Sequence, residues 1–201
     1  MNHRFKRLNS SAFLLAAVLS LAACKDASAP SDAAAAKAAA TPVSASAIAA
    51  EARGFTVGST MSARTVYVFF DPQCPHCAAL WESAKPLKSQ AKFVWIPVKL
   101  LNKTSEAQGA ALLAAKDPVA AMDEHEVSMR ANKGGISAMG DLDATKADVA
   151  KNTALFNRFG FASVPTIVAQ NSQTGALVTR EGGLPTAELA TFLGLSAPAA
   201  K

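Results

Sequence analysis

The stretch Thr65-Val66-Tyr67-Val68-Phe69-Phe70-Asp71-Pro72-Gln73-Cys74-Pro75-His76-Cys77 decides the fold of this chain. Its first six residues are β-branched or aromatic and apolar on both faces, which predicts a buried central strand. Asp71-Pro72 ends that strand, and Pro75 lies where the first turn of a helix is expected. The segment therefore predicts a strand followed directly by a helix, with two cysteines at their junction.

The rest of the chain supplies the other elements of one α/β domain. In order, the patterns predict a helix kinked at Pro86, a strand over 92–101, helices over 104–116, 118–133 and 143–159, strands over 166–170 and 176–180, and a helix over 185–193. This order, β-α-β followed by α-β-β-α, describes a thioredoxin fold with a helical insertion at about 104–133. The predicted domain covers 48–196, and a disordered tail over 197–201 follows it.

The pair Cys74 and Cys77 encloses Pro75 and His76, and in a β-α-β context such a pair predicts redox chemistry. Cys74 would lie at a helix N-terminus, where unpaired N–H groups and the helix dipole stabilise a thiolate. Cys77, one turn further along, would be buried and would resolve mixed disulfides. His76 would add a hydrogen-bond donor or a positive charge beside the sulfur. A stabilised reduced form makes the corresponding disulfide a strong oxidant.

Two other interpretations of this pair are weaker. A structural disulfide is possible, but two residues between cysteines at a helix start is an uncommon closure. A zinc site would need two further ligands, and beyond the first 23 residues the chain has only His76 and His125. We therefore expect no metal and no cofactor beyond the redox-active cysteines. His125 is expected on a solvated helix face, and Asp71 either as a proton acceptor for Cys77 or as a turn residue.

The sequence Ser163-Val164-Pro165-Thr166 precedes a predicted strand, where a proline that cannot donate to the sheet is tolerated. In a thioredoxin fold this position holds a cis-proline that packs against the cysteines and leaves the backbone of Val164 available to an extended substrate. The alternative is a trans-proline at a strand entry, since most X-Pro bonds are trans. Pro75, Val164 and Pro165 are the predicted substrate-binding residues, and Pro165 is also a predicted catalytic residue.

The N-terminus has the organisation of an export signal. A basic start precedes an apolar run over 12–23, which is too short to span a bilayer. The run ends in Leu21-Ala22-Ala23-Cys24, which resembles a bacterial lipobox. We therefore predict a signal peptide over 1–23 and lipidation of Cys24; the alternative is an ordinary secretory signal that leaves Cys24 as a free thiol. Lipidation would leave Cys74 and Cys77 as a pair in a compartment where disulfides persist.

Residues 24–47 contain eleven alanines and almost no large apolar side chain, which predicts a low-complexity tether. The tether would hold the domain just off a membrane. The net charge of +5 falls to +2 without residues 1–23, because Arg4, Lys6 and Arg7 lie there and no acidic residue does. We therefore expect no nucleic-acid partner.

Four motifs resemble the catalytic domain of the DsbC/DsbG family, and DsbG more than DsbC: Phe70-Asp71-Pro72-Gln73-Cys74-Pro75-His76-Cys77, Ala115-Lys116-Asp117-Pro118, Val164-Pro165 and Gly182-Gly183-Leu184-Pro185. The resemblance covers about 65–195. It implies a periplasmic thiol–disulfide oxidoreductase that isomerises or reduces disulfides, or rescues cysteine sulfenic acids. In that role Cys74 is the nucleophile, Cys77 the resolving thiol and Pro165 the cis-proline.

Two features depart from that family. Its members dimerise through an N-terminal domain, whereas here only 48–58 could remain of the linker, so we expect a monomer. The C-P-H-C sequence and Val164 resemble DsbA instead, and they favour oxidation.

Three hypotheses follow. The first is a lipid-anchored periplasmic oxidase of exported cysteine-containing proteins, on the inner leaflet of the outer membrane and served by a DsbB-like partner. The second is a reductase or isomerase served by a DsbD-like partner. The third is a non-catalytic binding or chaperone module.

Overall fold

The computed structural model describes residues 40–198. The predicted signal peptide, the predicted lipidation site Cys24 and most of the predicted tether lie outside the described residues. The described part contains, in chain order, α1 (Ala45–Glu51), β1 (Phe55–Gly58), β2 (Thr65–Phe70), α2 (Pro75–Ala84), a 3₁₀ turn (Lys85–Leu87), β3 (Lys92–Pro97), α3 (Ser105–Ala114), α4 (Pro118–Arg130), α5 (Asp143–Arg158), β4 (Thr166–Gln170), β5 (Leu177–Glu181) and α6 (Thr186–Leu193).

The five strands form one mixed sheet in the order β1-β3-β2-β4-β5. β2 and β3 are parallel, and every other neighbouring pair is antiparallel. Side chains of β2 alternate between two cores: Val68 and Phe70 pack with residues of α2 and α6, whereas Phe69 packs with residues of α1 and α5. The predicted thioredoxin fold and its buried central strand are therefore confirmed.

The structure differs from the sequence-based prediction at the N-terminal edge. Residues 48–58, expected as a remnant of a linker, include most of α1 and the whole of β1, and α1 begins at Ala45, inside the range predicted as tether. β1 pairs with β3, and its alternate residues Phe55 and Val57 are buried. The strand predicted over 92–101 ends at Pro97, because the chain then turns away and the backbone of 100–101 bonds elsewhere.

The predicted helical insertion corresponds to α3 and α4. Asp117 caps α4 by accepting hydrogen bonds from the backbone N–H groups of Val119 and Ala120, and Pro118 occupies the first helical position. α4 lies beside α2, since the indole N–H of Trp81 donates to Asp123 at 2.8 Å. The insertion therefore forms a wall along the helix that begins at the cysteines. Over residues 40–198, no helix is both long enough and apolar enough to cross a membrane.

Gly58 ends β1 with a φ of +95°, and a Cβ there would lie 2.4 Å from the carbonyl oxygen of Lys88 and 2.6 Å from that of Ala91. Gly58→Ala is therefore expected to lower the free energy of unfolding by more than the 1–2 kcal/mol or so that a left-handed backbone costs an L-residue. Gly140→Ala is the matched control. Its φ is +91°, and a Cβ there meets no atom of the described residues within 4 Å. Urea denaturation measures the free energy of unfolding of both variants. Equal losses in the two would contradict the predicted steric clash at residue 58.

Candidate active site

Cys74 is the N-cap of α2, immediately before Pro75. Its backbone N–H donates to the carbonyl of Asp71 at 3.0 Å, and its own carbonyl accepts from Cys77 N at 3.0 Å and Ala78 N at 3.2 Å. Both cysteines are free thiols in the structure; Cys74 is 6% exposed and Cys77 1%. The strand-to-helix turn thus places Cys74 at the surface end of the pair and Cys77 one turn deeper.

The two thiols have opposite electrostatic environments. A hydrogen bond from the side chain of Cys77 is the main cause that lowers the pKa of Cys74 to about 6, although burial opposes it. The backbone N–H groups of Cys77 and His76, and the charge of His76, act in the same direction. Burial raises the pKa of Cys77 far above its ordinary value, and the proximity of Cys74 adds to this. At neutral pH the pair is therefore a thiolate at Cys74 beside a protonated Cys77.

The loop before β4 approaches these sulfurs. The Val164–Pro165 peptide bond is cis, as the sequence predicts. In its thiol form Cys74 donates to the carbonyl of Val164 over 3.5 Å. Gly182 N donates to the carbonyl of Pro165 at 2.8 Å, and a Cβ at Gly183 would lie 3.3 Å from the carbonyl of His76. The structure therefore brings the cysteines, the cis-proline loop and the Gly182-Gly183 loop together, with Pro75 and His76 exposed at the edge.

Glu181, at the end of β5, fixes the cis-proline loop. Its Oε2 atom accepts hydrogen bonds from the backbone N–H groups of Ala162 and Ser163, at 2.9 and 2.8 Å, and from the Ser163 hydroxyl at 3.1 Å. Glu181 was not among the residues predicted for the site. A single acid at the end of an edge strand carries no signal that it reaches across to another loop.

Asp71 is fully buried, and its carboxylate accepts four hydrogen bonds. Oδ1 accepts from Gln73 N at 2.9 Å and from the Ser105 hydroxyl at 2.7 Å. Oδ2 accepts from Leu100 N at 2.7 Å and Leu101 N at 3.0 Å. This side chain therefore joins the end of β2 to the segment after β3 and to the start of α3. Of the two roles considered for Asp71, the geometry supports the structural one.

The expectation that His125 lies on a solvated helix face is wrong. The ring is fully buried, with Nε2 2.7 Å from the carbonyl of Pro72 and Nδ1 accepting from Ile136 N at 3.2 Å. Burial lowers the pKa of His125, and this bonding pattern fits a neutral ring that donates from Nε2. His125 therefore supports the turn that precedes Cys74. Within residues 40–198, no group of three or more His, Cys, Asp or Glu side chains is arranged to hold a metal ion.

A groove of about 340 Å³ opens between α2 and α4, and Cys74 is part of its wall. Its other lining residues are Pro72, Pro75, Ala78, Ala79, Glu82, Glu126, Met129 and Arg130. Glu126 is only 2% exposed, and its Oε2 atom has no hydrogen-bond partner in the described part of the chain. Burial raises the pKa of this carboxyl to about 7. Glu126 carries no signal of burial in the sequence, because it lies in the polar run Asp123-Glu124-His125-Glu126.

A C-x-x-C pair at the start of a helix, opposite a cis-proline, defines a thioredoxin-fold protein with a redox-type centre. The chain belongs to the thioredoxin-like family, since the family model for the thioredoxin-like domain matches residues 58–196.

Two curated relatives are both named thiol:disulfide interchange protein DsbG. The one from Pseudomonas aeruginosa is 34% identical over 140 residues, which are 68% of this chain and 54% of the relative. The one from Escherichia coli is 32% identical over 104 residues, which are 51% of this chain and 42% of the relative. This chain thus spans about half the length of the curated relatives it matches.

Among solved structures, the fold is similar to a periplasmic thioredoxin-like protein from Salmonella enterica serovar Typhimurium. The TM-score is 0.59 at 15% identity, over 77% of this chain and 97% of that one. At this identity the likeness supports the fold alone.

The thiol of Cys74 in the reduced protein is expected to ionise with a midpoint near pH 6. Cys77→Ala should raise this midpoint by about 1 pH unit or more, because it removes a hydrogen bond to the charged sulfur. The pH dependence of iodoacetamide alkylation, read by mass spectrometry, measures both midpoints. Cys74→Ala identifies the signal. An unchanged midpoint in Cys77→Ala would show that the helix N-terminus, rather than Cys77, stabilises the thiolate.

Asp71→Asn is expected to lower the free energy of unfolding by at least about 2 kcal/mol, since an amide nitrogen would replace an oxygen that accepts two hydrogen bonds. Asp141→Asn is the control, because Asp141 is exposed and accepts from Asp143 N at 3.2 Å. It should change stability by less than about 1 kcal/mol. Denaturant unfolding of both reduced proteins measures the difference. Similar small losses of unfolding free energy in both variants would mean that the hydrogen bonds of the Asp71 carboxylate do not stabilise the fold.

Proposed function

We propose that this chain is a periplasmic thiol–disulfide oxidoreductase that oxidises exported cysteine-containing proteins through Cys74 and Cys77. The observation that carries the proposal is the asymmetry of the pair: a stabilised thiolate at Cys74, at the surface end, and a buried, protonated thiol at Cys77. The cis-proline loop lies against the same sulfur. The relatives named for thiol:disulfide interchange support the same chemistry.

In the oxidising direction, a substrate thiolate attacks Cys74 Sγ of the Cys74–Cys77 disulfide. Cys77 leaves and takes up a proton, and a mixed disulfide joins the substrate to Cys74. A second substrate thiolate then attacks the substrate sulfur of this bond, and Cys74 leaves as a thiolate. The substrate loses two electrons and the protein gains them. No cofactor is needed, because the change of oxidation state occurs at sulfur.

The lowered pKa of Cys74 favours this direction. Compared with an ordinary thiol of pKa 9, Cys74 stabilises the reduced protein by being ionised. The stabilisation is fully present above about pH 9 and is lost as the pH falls through about 6. At periplasmic pH near neutrality Cys74 is still mostly ionised and about a third of this stabilisation remains, so the disulfide form is expected to be oxidising.

The second candidate is a reductase or isomerase of disulfides or sulfenic acids, and the identity to DsbG favours it. In that direction the Cys74 thiolate attacks the oxidised substrate sulfur. A disulfide releases a thiolate, whereas a sulfenic acid takes up a proton and releases water. Cys77 then displaces the reduced substrate and closes the Cys74–Cys77 disulfide. A DsbD-like membrane partner would restore the dithiol, whereas the oxidase would need a DsbB-like partner.

We further propose that the domain is monomeric and tethered to the inner leaflet of the outer membrane through lipidated Cys24. The tether is supported by the sequence Leu21-Ala22-Ala23-Cys24 and the alanine-rich segment that follows it. The monomer is supported by the alanine-rich composition of the region in which the DsbC/DsbG family has its dimerisation domain. An anchored domain of this kind would meet exported substrates as they fold.

The resting redox state of the pair in cells tests the direction of electron flow. We expect Cys74 and Cys77 to be mostly oxidised, because an oxidase is held as its disulfide between turnovers. Acid quenching followed by alkylation with a mass tag measures the two states. The Cys77→Ala variant, which keeps only one cysteine of the pair, gives the reference mass for a single tagged thiol. A mostly reduced pair would contradict oxidation and support the reductase. Full activity of Cys74→Ala would support the non-catalytic module instead.

A further inference from the structure

The groove between α2 and α4 places an unpaired carboxyl beside the reactive sulfur. Glu126 and Cys74 line the same space, and the apolar side chains that line it with them include Pro75, Ala78 and Met129. A buried carboxyl oxygen without a partner is costly, and its presence calls for a physical reason. A substrate group that donates a hydrogen bond there would supply one.

The cations near Glu126 are directed to other acids. Arg130 Nη1 lies 3.4 Å from Glu82 Oε1, and Lys85 Nζ lies 2.9 Å from that atom and 2.8 Å from Asp123. The groove therefore has paired charges at its rim and one unpaired carboxyl inside it. This arrangement is complementary to a side chain with an apolar stem and a cationic head.

We propose that this groove is a substrate subsite for a lysine or arginine that flanks the reactive cysteine of the substrate polypeptide, with Glu126 accepting its cationic head. The inference rests on the proposed function. A substrate sulfur that bonds to Cys74 brings its neighbouring residues over the groove, because consecutive Cα atoms are only about 3.8 Å apart. The alkyl stem would lie along Ala78, Ala79 and Met129.

The subsite has a pH signature. Burial raises the pKa of Glu126 to about 7, and the charges that act on it are those of Arg130, Glu82, Cys74 and Lys85. Attraction of a cation therefore grows as the pH rises through about 7, where Glu126 ionises. The thiolate fraction of Cys74 in the free protein also changes with pH. The informative quantity is therefore a ratio of second-order rate constants between two substrates, in which the free-protein fraction cancels.

The experiment uses the reduced full chain and short peptides that carry one cysteine as a mixed disulfide with thionitrobenzoate. Attack by the Cys74 thiolate on the peptide sulfur releases the coloured thionitrobenzoate anion, and Cys77 then displaces the peptide thiol. The peptides differ only at the residues flanking the cysteine, which are lysine, norleucine or glutamate. We expect a lysine-to-norleucine rate ratio of about 10 at pH 8, falling towards 1 at pH 5.5.

Two variants complete the test. Glu126→Gln keeps the shape and removes the charge, so its ratio should stay near 1 at both pH values. Glu124→Gln is the matched control, because Glu124 is exposed on the same helix and lines a different depression. It should retain the parent's ratio.

Three results would overturn the subsite. They are a ratio near 1 in the parent at pH 8, a lysine preference that persists in Glu126→Gln, and an equal slowing of every peptide in Glu126→Gln. The third result would mean that Glu126 transfers a proton or changes the reactivity of Cys74, and does not bind a substrate cation. Failure of the parent to release thionitrobenzoate from any peptide would instead contradict the proposed function itself.

Discussion

The site depends on one buried carboxylate. Asp71 ends the central strand, is inaccessible to solvent, and accepts four hydrogen bonds from three separate segments. A buried charge is tolerated only when it is bonded in this way. The carbonyl of the same residue accepts the backbone N–H of Cys74, so the carboxylate that holds the segments together also fixes the start of the cysteine helix. The position of the sulfur therefore follows from the end of the strand.

Burial has different consequences for the polar groups around this turn. His125 donates to the carbonyl of Pro72 and accepts from Ile136 N, and burial favours its neutral form. The ring therefore holds Pro72 in place without adding a charge. Cys77 is buried without a stabilising charge, so its proton is held. Cys74 gains several donors that outweigh its desolvation, so its proton is lost readily. The same low-dielectric turn thus separates the pKa values of two identical side chains.

The sequence predicts the parts of the fold that local pattern determines. The predicted boundaries of the strands Thr65–Phe70 and Thr166–Gln170 agree with the structure. Both strands are apolar runs, and a proline lies close to one end of each, Pro72 after the first and Pro165 before the second. β1 was missed because it has only four residues, and its pairing with β3 is non-local. Of the site, the cysteines and the cis-proline could be predicted from spacing. The burial of His125 and Glu126 could not, because it arises from non-local contacts: His125 bonds to Pro72 and Ile136, and Glu126 lines the groove between α4 and α2.

Under the proposed function, the insertion would change which substrates the site recognises. A cis-proline loop that pairs with substrate backbone, as the proposed function requires, would provide little selectivity, because every polypeptide offers a backbone. The insertion places α4 beside α2, and Glu126 of α4 is electrostatically coupled to the reactive sulfur. The charge of Cys74 raises the pKa of Glu126. The Glu126 carboxylate and the Cys74 thiolate oppose each other's ionisation, and a cation between them would stabilise both charged forms. A basic substrate residue in the groove would then bind and promote the thiolate at the same time.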